Sequence, residues 1–301
     1  MLTPSGADRA DILDRVDAYL DAVPREDAQV VDVGEFTLFV SRGPWPYYAR
    51  PARDQLGPIG VADVLDVIAT AAEYDLEAQL EWVHDLRPEL LESARGGGLV
   101  ASLHPLLVYS GDRSSPHVPT RHRVRLLDID ADGVDADLGA ARAVTEIAFS
   151  GLVPDQPGLP PLDHSDRALA AAMARAGRAD HVAHVKRRLR SGQTIMAVAE
   201  DENGIVAAGS VQPVDGVHDR YGAEFAAAEV VGIGTLPSAR RKGLGAAITS
   251  LLTDVALSRG ASIVMLSAAD EATAGVYRNV GYVDVGHVGA AGLAGHDTAV
   301  E

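Results

Sequence analysis

Three consecutive cations, Arg240, Arg241 and Lys242, stand between Pro237 and the glycines Gly243 and Gly245. That grouping suits phosphate chemistry. The run from Glu229 to Thr235 reads as a strand stopped by Pro237, and the apolar-periodic run to Ser258 reads as a helix opening just after the cations. Glycines between the two let the backbone come close to a ligand. The first amides of the helix, over Gly243, Leu244, Gly245 and Ala246, have no partner within it, and they and the helix dipole favour a pyrophosphate. Side chains of Arg240, Arg241 and Lys242 add charge for further phosphate oxygens. Neither G-x-x-x-x-G-K-S/T nor G-x-G-x-x-G after a first strand is present, so the common nucleotide-binding spacings are excluded.

The surroundings make the turn specific. Arg240-x-x-Gly243-x-Gly245, its lead-in Thr235-Leu-Pro237-x-x-Arg240-Arg241-x-Gly243, and the later Val276-Tyr277-x-x-x-Gly281-Tyr282 together resemble the GNAT superfamily of N-acetyltransferases over about the last 180 residues. The resemblance implies an α/β fold with a mixed sheet and acetyl-CoA as co-substrate. It also implies that main-chain groups of Ile233, Gly234 and Thr235 pair with the pantetheine arm, one amide polarising the acetyl carbonyl. Glu229 stands eleven residues before Arg240, the offset of the glutamate base in the family's histone-acetylating branch; otherwise it is an exposed or salt-bridged strand glutamate. Tyr277 falls at the family's general acid, the alternative being a core tyrosine packed on the sheet. Asp270 stands where many members carry Asn, and a carboxylate can only accept hydrogen bonds; contacts to the cofactor are expected to differ there.

To position these groups the chain needs the elements around them. At 301 residues two units of ordinary size can each bury a core. Residues 123–301 read as the catalytic unit, with 116–122 as a polar, Pro-punctuated linker. In residues 1–115 the helix–strand–helix–strand order (Val61–Tyr74, Leu80–Val83, Pro88–Arg95, Leu99–Tyr109) copies half of an acetyltransferase fold. The segment before its first helix lacks the cation-rich turn, and Pro58 removes an amide. This first part therefore reads as a degenerate, non-catalytic GNAT-like half. Ahead of it, Ile12, Leu13, Val16, Tyr19, Leu20 and Val23 mark a helix, opened by a capping-box pattern Ser5-x-x-Asp8. Its acidic side (Asp11, Asp14, Asp17, Asp21) reads as a solvated face, with a docking surface second. Phe36 to Ser41 reads as a strand. The aromatic, Pro-rich stretch Gly43–Pro51 reads as a loop pinned over the core or, less readily, as a ligand lining.

In the second part, strands are expected over Arg123–Ile129, Thr194–Glu200 and Ile205–Val214, and helices over Leu138–Phe149 and most of Ser165–Ser191. A Pro/Gly loop spans Leu152–Asp163, and by the resemblance this region shapes the acceptor pocket. Asp128-x-Asp130-x-Asp132-Gly133 looks like a calcium loop, but its twelfth position is Gly139 instead of the glutamate such loops require. His181 and His184, three apart on a helix, lack a third ligand and read as ordinary packed or solvated histidines. No metal site is expected.

Net charge −17 argues against nucleic acid and suits a cationic acceptor. The absence of cysteine excludes disulfides, thiolate metal sites and a cysteine nucleophile. No apolar run is long enough to span a membrane, and there is no export signal; a cytoplasmic protein is expected, and a homodimer is left open. The expected function is direct acetyl transfer from acetyl-CoA to a primary amine of a small molecule, with a protein amine second. The alternative of another class is a non-catalytic acyl-CoA-binding or scaffolding module.

Overall fold

The computed structural model describes residues 6–53, 55, 57–111, 120–149, 162–176 and 179–293. Most of the linker expected at 116–122 and of the Pro/Gly loop expected at 152–163 lies outside them, as does Ser5 of the expected capping box.

In chain order the elements are α1 (Gly6–Ala22), β1 (Ala28–Val33), β2 (Phe36–Ser41), β3 (Arg50–Pro51), α2 (Val61–Glu73), β4 (Leu80–Val83), α3 (Leu90–Gly96), β5 (Val100–Tyr109), β6 (Arg123–Leu126), α4 (Val134–Phe149), α5 (Leu162–Ala176), α6 (Ala179–Ser191), β7 (Ile195–Asp201), β8 (Gly204–His218), β9 (Glu224–Thr235), α7 (Leu244–Ser258), β10 (Ile263–Ser267), α8 (Glu271–Arg278) and β11 (Tyr282–Gly292). The expected elements are present within a few residues of their expected ends. β1, β3 and β11 were not anticipated. No helix among the described residues is long and apolar enough to cross a membrane.

Eight strands form one mixed sheet in the order β4-β11-β5-β10-β9-β8-β7-β6, and β1-β2-β3 form a small second sheet. The boundary expected at 116–122 divides the sequence but not the sheet. β5, from the first part, lies between β10 and β11 and pairs antiparallel with both, and β4 pairs with β11 at the edge. The small sheet is stitched on by an isolated bridge, Ala49 to Leu80, in which the Glu81 amide donates to the Ala49 carbonyl at 3.1 Å.

Side chains alternate across strands, so the two faces collect different helices. Ala227, Met265 and Val108 face α1 through Leu13, Val16 and Tyr19, and Val198 and Ala208 face α4 and α6. On the opposite face Ala228, Val264 and Leu107 share a core with α7 and α8, including Ile248, Leu252 and Tyr277.

The acidic side of α1 is not a solvated face. Asp11 pairs with Arg220 at 2.5 Å, Asp14 with Arg53 at 3.3 Å, Asp17 with Arg50 at 3.5 Å and Asp21 with Arg25 at 2.8 Å. Three of these arginines come from other parts of the chain, so the charge docks the helix onto its own protein. At the tempting acidic turn, Asp128 accepts the Asp130 amide at 3.0 Å, an Asx turn leading into α4.

Candidate active site

Among the described residues β9 and β10 form the one parallel pair in the large sheet, and they pair only from Ala227 to Glu229 against Ile263 to Met265. Beyond that rung β9 runs on through Val230 to Thr235 beside β8 alone, while β10 turns to β5. The main chain of Ile233, Gly234 and Thr235 therefore lies past the last contact with β10, its β10-facing edge open. Between Val231 and Gly234 β9 carries one residue more than β8 does between Ser210 and Ala208. Gly232, at φ +63°, absorbs this bulge. Gly234 is required for a different reason: a Cβ there would meet the backbone of Thr145 in α4 at 3.0 Å.

The cationic turn follows. Pro237–Ala239 make a single 3-10 turn, Arg241 is left-handed at φ +64°, and Gly243 is left-handed at φ +77° as the N-cap of α7, with no side chain capping the helix. Ala247 is the first residue to return a hydrogen bond, to the Gly243 carbonyl at 3.0 Å. The amides of Leu244, Gly245 and Ala246 are thus left to an outside acceptor, as a pyrophosphate requires. Arg241 and Lys242 are exposed beside them. Arg240 differs from the expectation of three equivalent cations: it donates to the carbonyls of Thr235 at 3.4 Å and Ala148 at 3.2 Å, tying the turn to β9 and α4. Asp166 on α5, 1% exposed, accepts the Ser238 amide at 2.9 Å and holds the turn from beneath; nothing in its local sequence marked it. Asp270 caps α8 by accepting the Thr273 amide at 2.7 Å, so the acid found in place of the family's Asn serves the helix start.

A cavity of about 580 Å³ lies on the α1 face. It brings together residues that sequence reasoning kept apart: Glu229, Val231 and Gly232 of β9, Arg142 and Thr145 of α4, Arg188 of α6, Arg50 and Glu81 of the first part, and the aromatic stretch Trp45-Pro46-Tyr47-Tyr48. The aromatic stretch lines the cavity, the less expected of its two readings. Glu229 is partly buried, and its remaining exposure is toward this space. Loss of water pushes its carboxyl up from 4.5 to about 8, the nearby Glu81 carboxylate adding to the effect and Arg50 opposing it. Arg50, 2% exposed, is ion-paired with Glu81, 7% exposed. Desolvation also raises the carboxyls of Glu81 and Asp17. Tyr19 closes the group from α1, its hydroxyl donating to the carbonyl of Gln212, the β8 partner of Glu229, at 2.7 Å. One signal for this cluster was readable: a glutamate within Leu80-Glu81-Trp82-Val83, a strand otherwise wholly apolar.

Tyr277 does not line the cavity. It is buried on the opposite face of the sheet, its ring 6.4 Å from that of Tyr282. Burial pushes its phenol up to about 12, so it stays protonated throughout the physiological range. Tyr277 and Glu229 thus lie on opposite faces of the sheet, on either side of the place where β9 and β10 part. His181 and His184 meet the Trp45 ring edge-on at 4.9 and 4.8 Å, confirming them as packed histidines.

A model of the acetyltransferase (GNAT) family matches residues 167–282. Among curated proteins, none matches the sequence. Among solved structures, a GCN5-related N-acetyltransferase from Kribbella flavida is similar at 22% identity and a TM-score of 0.62, covering 95% of this chain and 96% of that one. A protein assigned to the GNAT family from Novosphingobium aromaticivorans is similar at 14% identity and a TM-score of 0.51, covering 92% and 96%. These likenesses carry the fold over the whole length, first part included. With the split parallel pair, the bulged strand and the uncapped cationic turn in one place, residues 167–282 are a domain of the GNAT acetyltransferase family, set in a chain that follows that fold from end to end.

Proposed function

We propose that the protein transfers the acetyl group of acetyl-CoA directly to the primary amine of a small molecule. The observation that carries this reading is Glu229: a carboxyl brought to about 8, in a cavity that meets the open edge of β9. A base with that affinity takes a proton from a bound ammonium near neutral pH, where an ordinary carboxylate is too weak.

The residues fit the coenzyme. The uncapped start of α7 with Arg241 and Lys242 suits its diphosphate, and the unpaired edge from Val230 to Thr235 suits the amide-bearing arm, as an added strand would. When bound, acetyl-CoA supplies an activated acyl group. Glu229 removes the proton from the ammonium; the freed nitrogen lone pair forms the C–N bond as the C–S bond breaks. Main-chain amides at the Gly232 bulge stabilise the developing oxyanion. The sulfur leaves with the bonding pair. A phenol at about 12 does not readily surrender its proton to a thiolate of ordinary pKa near 8.5. Tyr277 therefore acts chiefly by donating a hydrogen bond to the departing sulfur, and the proton that ends on the thiol comes from the amine by way of Glu229 or solvent.

The test is thiol release from acetyl-CoA in the presence of an amine panel, with coenzyme binding measured in parallel. Amine-dependent release by the wild type, and a Tyr277→Phe variant with unchanged coenzyme affinity and sharply lower turnover, are expected. Coenzyme binding without acetylation of any amine would instead mark a non-catalytic acyl-CoA-binding module.

A further inference from the structure

Whole-protein charge points to a cationic acceptor, but the cavity wall is not acidic. Its arginines are each already ion-paired within the protein: Arg50 with Glu81, Arg142 with Glu146 at 2.5 Å, and Arg188 with Asp27. These pairs also use up Glu81 and Glu146. Among the described residues, Glu229 is the one carboxylate of the wall without an arginine ion pair. The wall therefore offers recognition for a single cation at a single point. A second or third ammonium, as in a polyamine, would meet charges that are already neutralised.

What the rest of the wall offers is aromatic surface. Trp45, Tyr47 and Tyr48 come from the stretch between β2 and β3, and Phe149 from the end of α4. Trp45 is flanked by Pro44 and Pro46, which restrict its backbone. Its ring is held edge-on by His181 and His184 at interplanar angles of 67° and 69°. An aromatic held this way loses little freedom on binding a ligand. Gly43 lets the stretch approach α6, since a Cβ there would meet the His184 ring at 2.6 Å. The volume of about 580 Å³ suits a compact small molecule.

We propose that the acceptor is a monoamine carried on a flat aromatic body, its amine beside Glu229 and its ring against Trp45, so that the first part of the chain sets acceptor specificity. This rests on the acetyl-transfer reading for the role of the amine, while the aromatic subsite stands on its own geometry. Trp45 is a specificity residue, outside the turn at the start of α7.

The probes are 2-phenylethylamine, spermidine and a short lysine peptide, tested by tryptophan fluorescence without coenzyme and by thiol release with acetyl-CoA. Trp82 is fully buried and, of the two tryptophans, gives a constant background. 2-Phenylethylamine is expected to perturb the emission and to have a KM at least roughly tenfold below those of the other two. Trp45→Ala should raise that KM roughly tenfold with kcat and coenzyme affinity nearly unchanged, and Trp45→Phe should recover most of the loss. Fluorescence binding of 2-phenylethylamine without thiol release from any amine supports the subsite and overturns acetyl transfer. Thiol release that favours spermidine or the peptide, or a folded Trp45→Ala protein with the 2-phenylethylamine KM of wild type alongside an unaffected Tyr47→Ala variant, overturns the subsite and leaves acetyl transfer standing.

Discussion

Glu229 is the partner of Met265, and that rung is the last on which β9 and β10 pair. The carboxyl facing the cavity thus sits where the sheet divides, one step before the open edge and three before the glycine that bulges it. Because Ala228 faces the α7 core, Glu229 faces the other way. The position fixes both what the carboxyl can reach and how little water it keeps.

Activity should follow its ionisation. For wild type, kcat/KM should rise with pH through a midpoint near the value of about 8 given by burial and Glu81. Glu229→Gln should lower kcat/KM by roughly 10²-fold or more. Comparing the two proteins with the same amine removes the contribution of the amine's own titration, and a limb of unchanged shape in the variant would refute the assignment.

Stability should run in the opposite direction. The folded-state value of Glu229 is raised above its ordinary 4.5, so the folded protein holds a proton that the unfolded chain gives up. The associated stability is fully present below about pH 4.5 and is lost as pH rises through 8. Asp17 and Glu81 are shifted in the same direction. Thermal melts from pH 5 to 9 should therefore show a steeper fall in Tm for wild type than for Glu229→Gln.

Glu81 is a positioning residue for this proton. Replacing it with Gln removes a repulsion and frees Arg50 to favour the ionised Glu229, while Asp17 at 3.5 Å still accompanies Arg50. The midpoint of the pH–rate profile should fall below 8 with coenzyme affinity unchanged. A merely structural role would alter Tm but leave the midpoint in place.

At the turn, Gly243→Ala puts a Cβ on a left-handed residue, φ +77°, and should cost about 1 kcal/mol of stability. Coenzyme affinity should fall as well, because relief of that strain rotates the amides at the start of α7. Equilibrium denaturation and coenzyme titration read the two effects separately.

The turn was legible because its parts are contiguous: a strand, a proline, cations, glycines and a helix within one short run. The cavity was not, since Arg50, Glu81 and Glu229 meet only through the bridge from Ala49 to Leu80 and the pairing of β4, β11, β5, β10 and β9. β11 escaped notice for a packing reason. Its Gly289 lies under the Trp82 ring on the neighbouring strand, where a Cβ would overlap the indole, and the run from Gly289 to Gly292 lacks the branched and aromatic residues that usually announce a strand. Arg240 carried the signature of a phosphate ligand, but only the fold places two main-chain carbonyls within its reach.

The place of β5 sets a timetable for biosynthesis. It leaves the ribosome long before β10 and β11, the strands on either side of it, have been translated. Through that interval both its ladders stay vacant, and a neighbouring nascent chain offers a competing partner. Maturation of the sheet must wait for the last strand, and a chain stopped after residue 260 would leave β5 without either lateral neighbour.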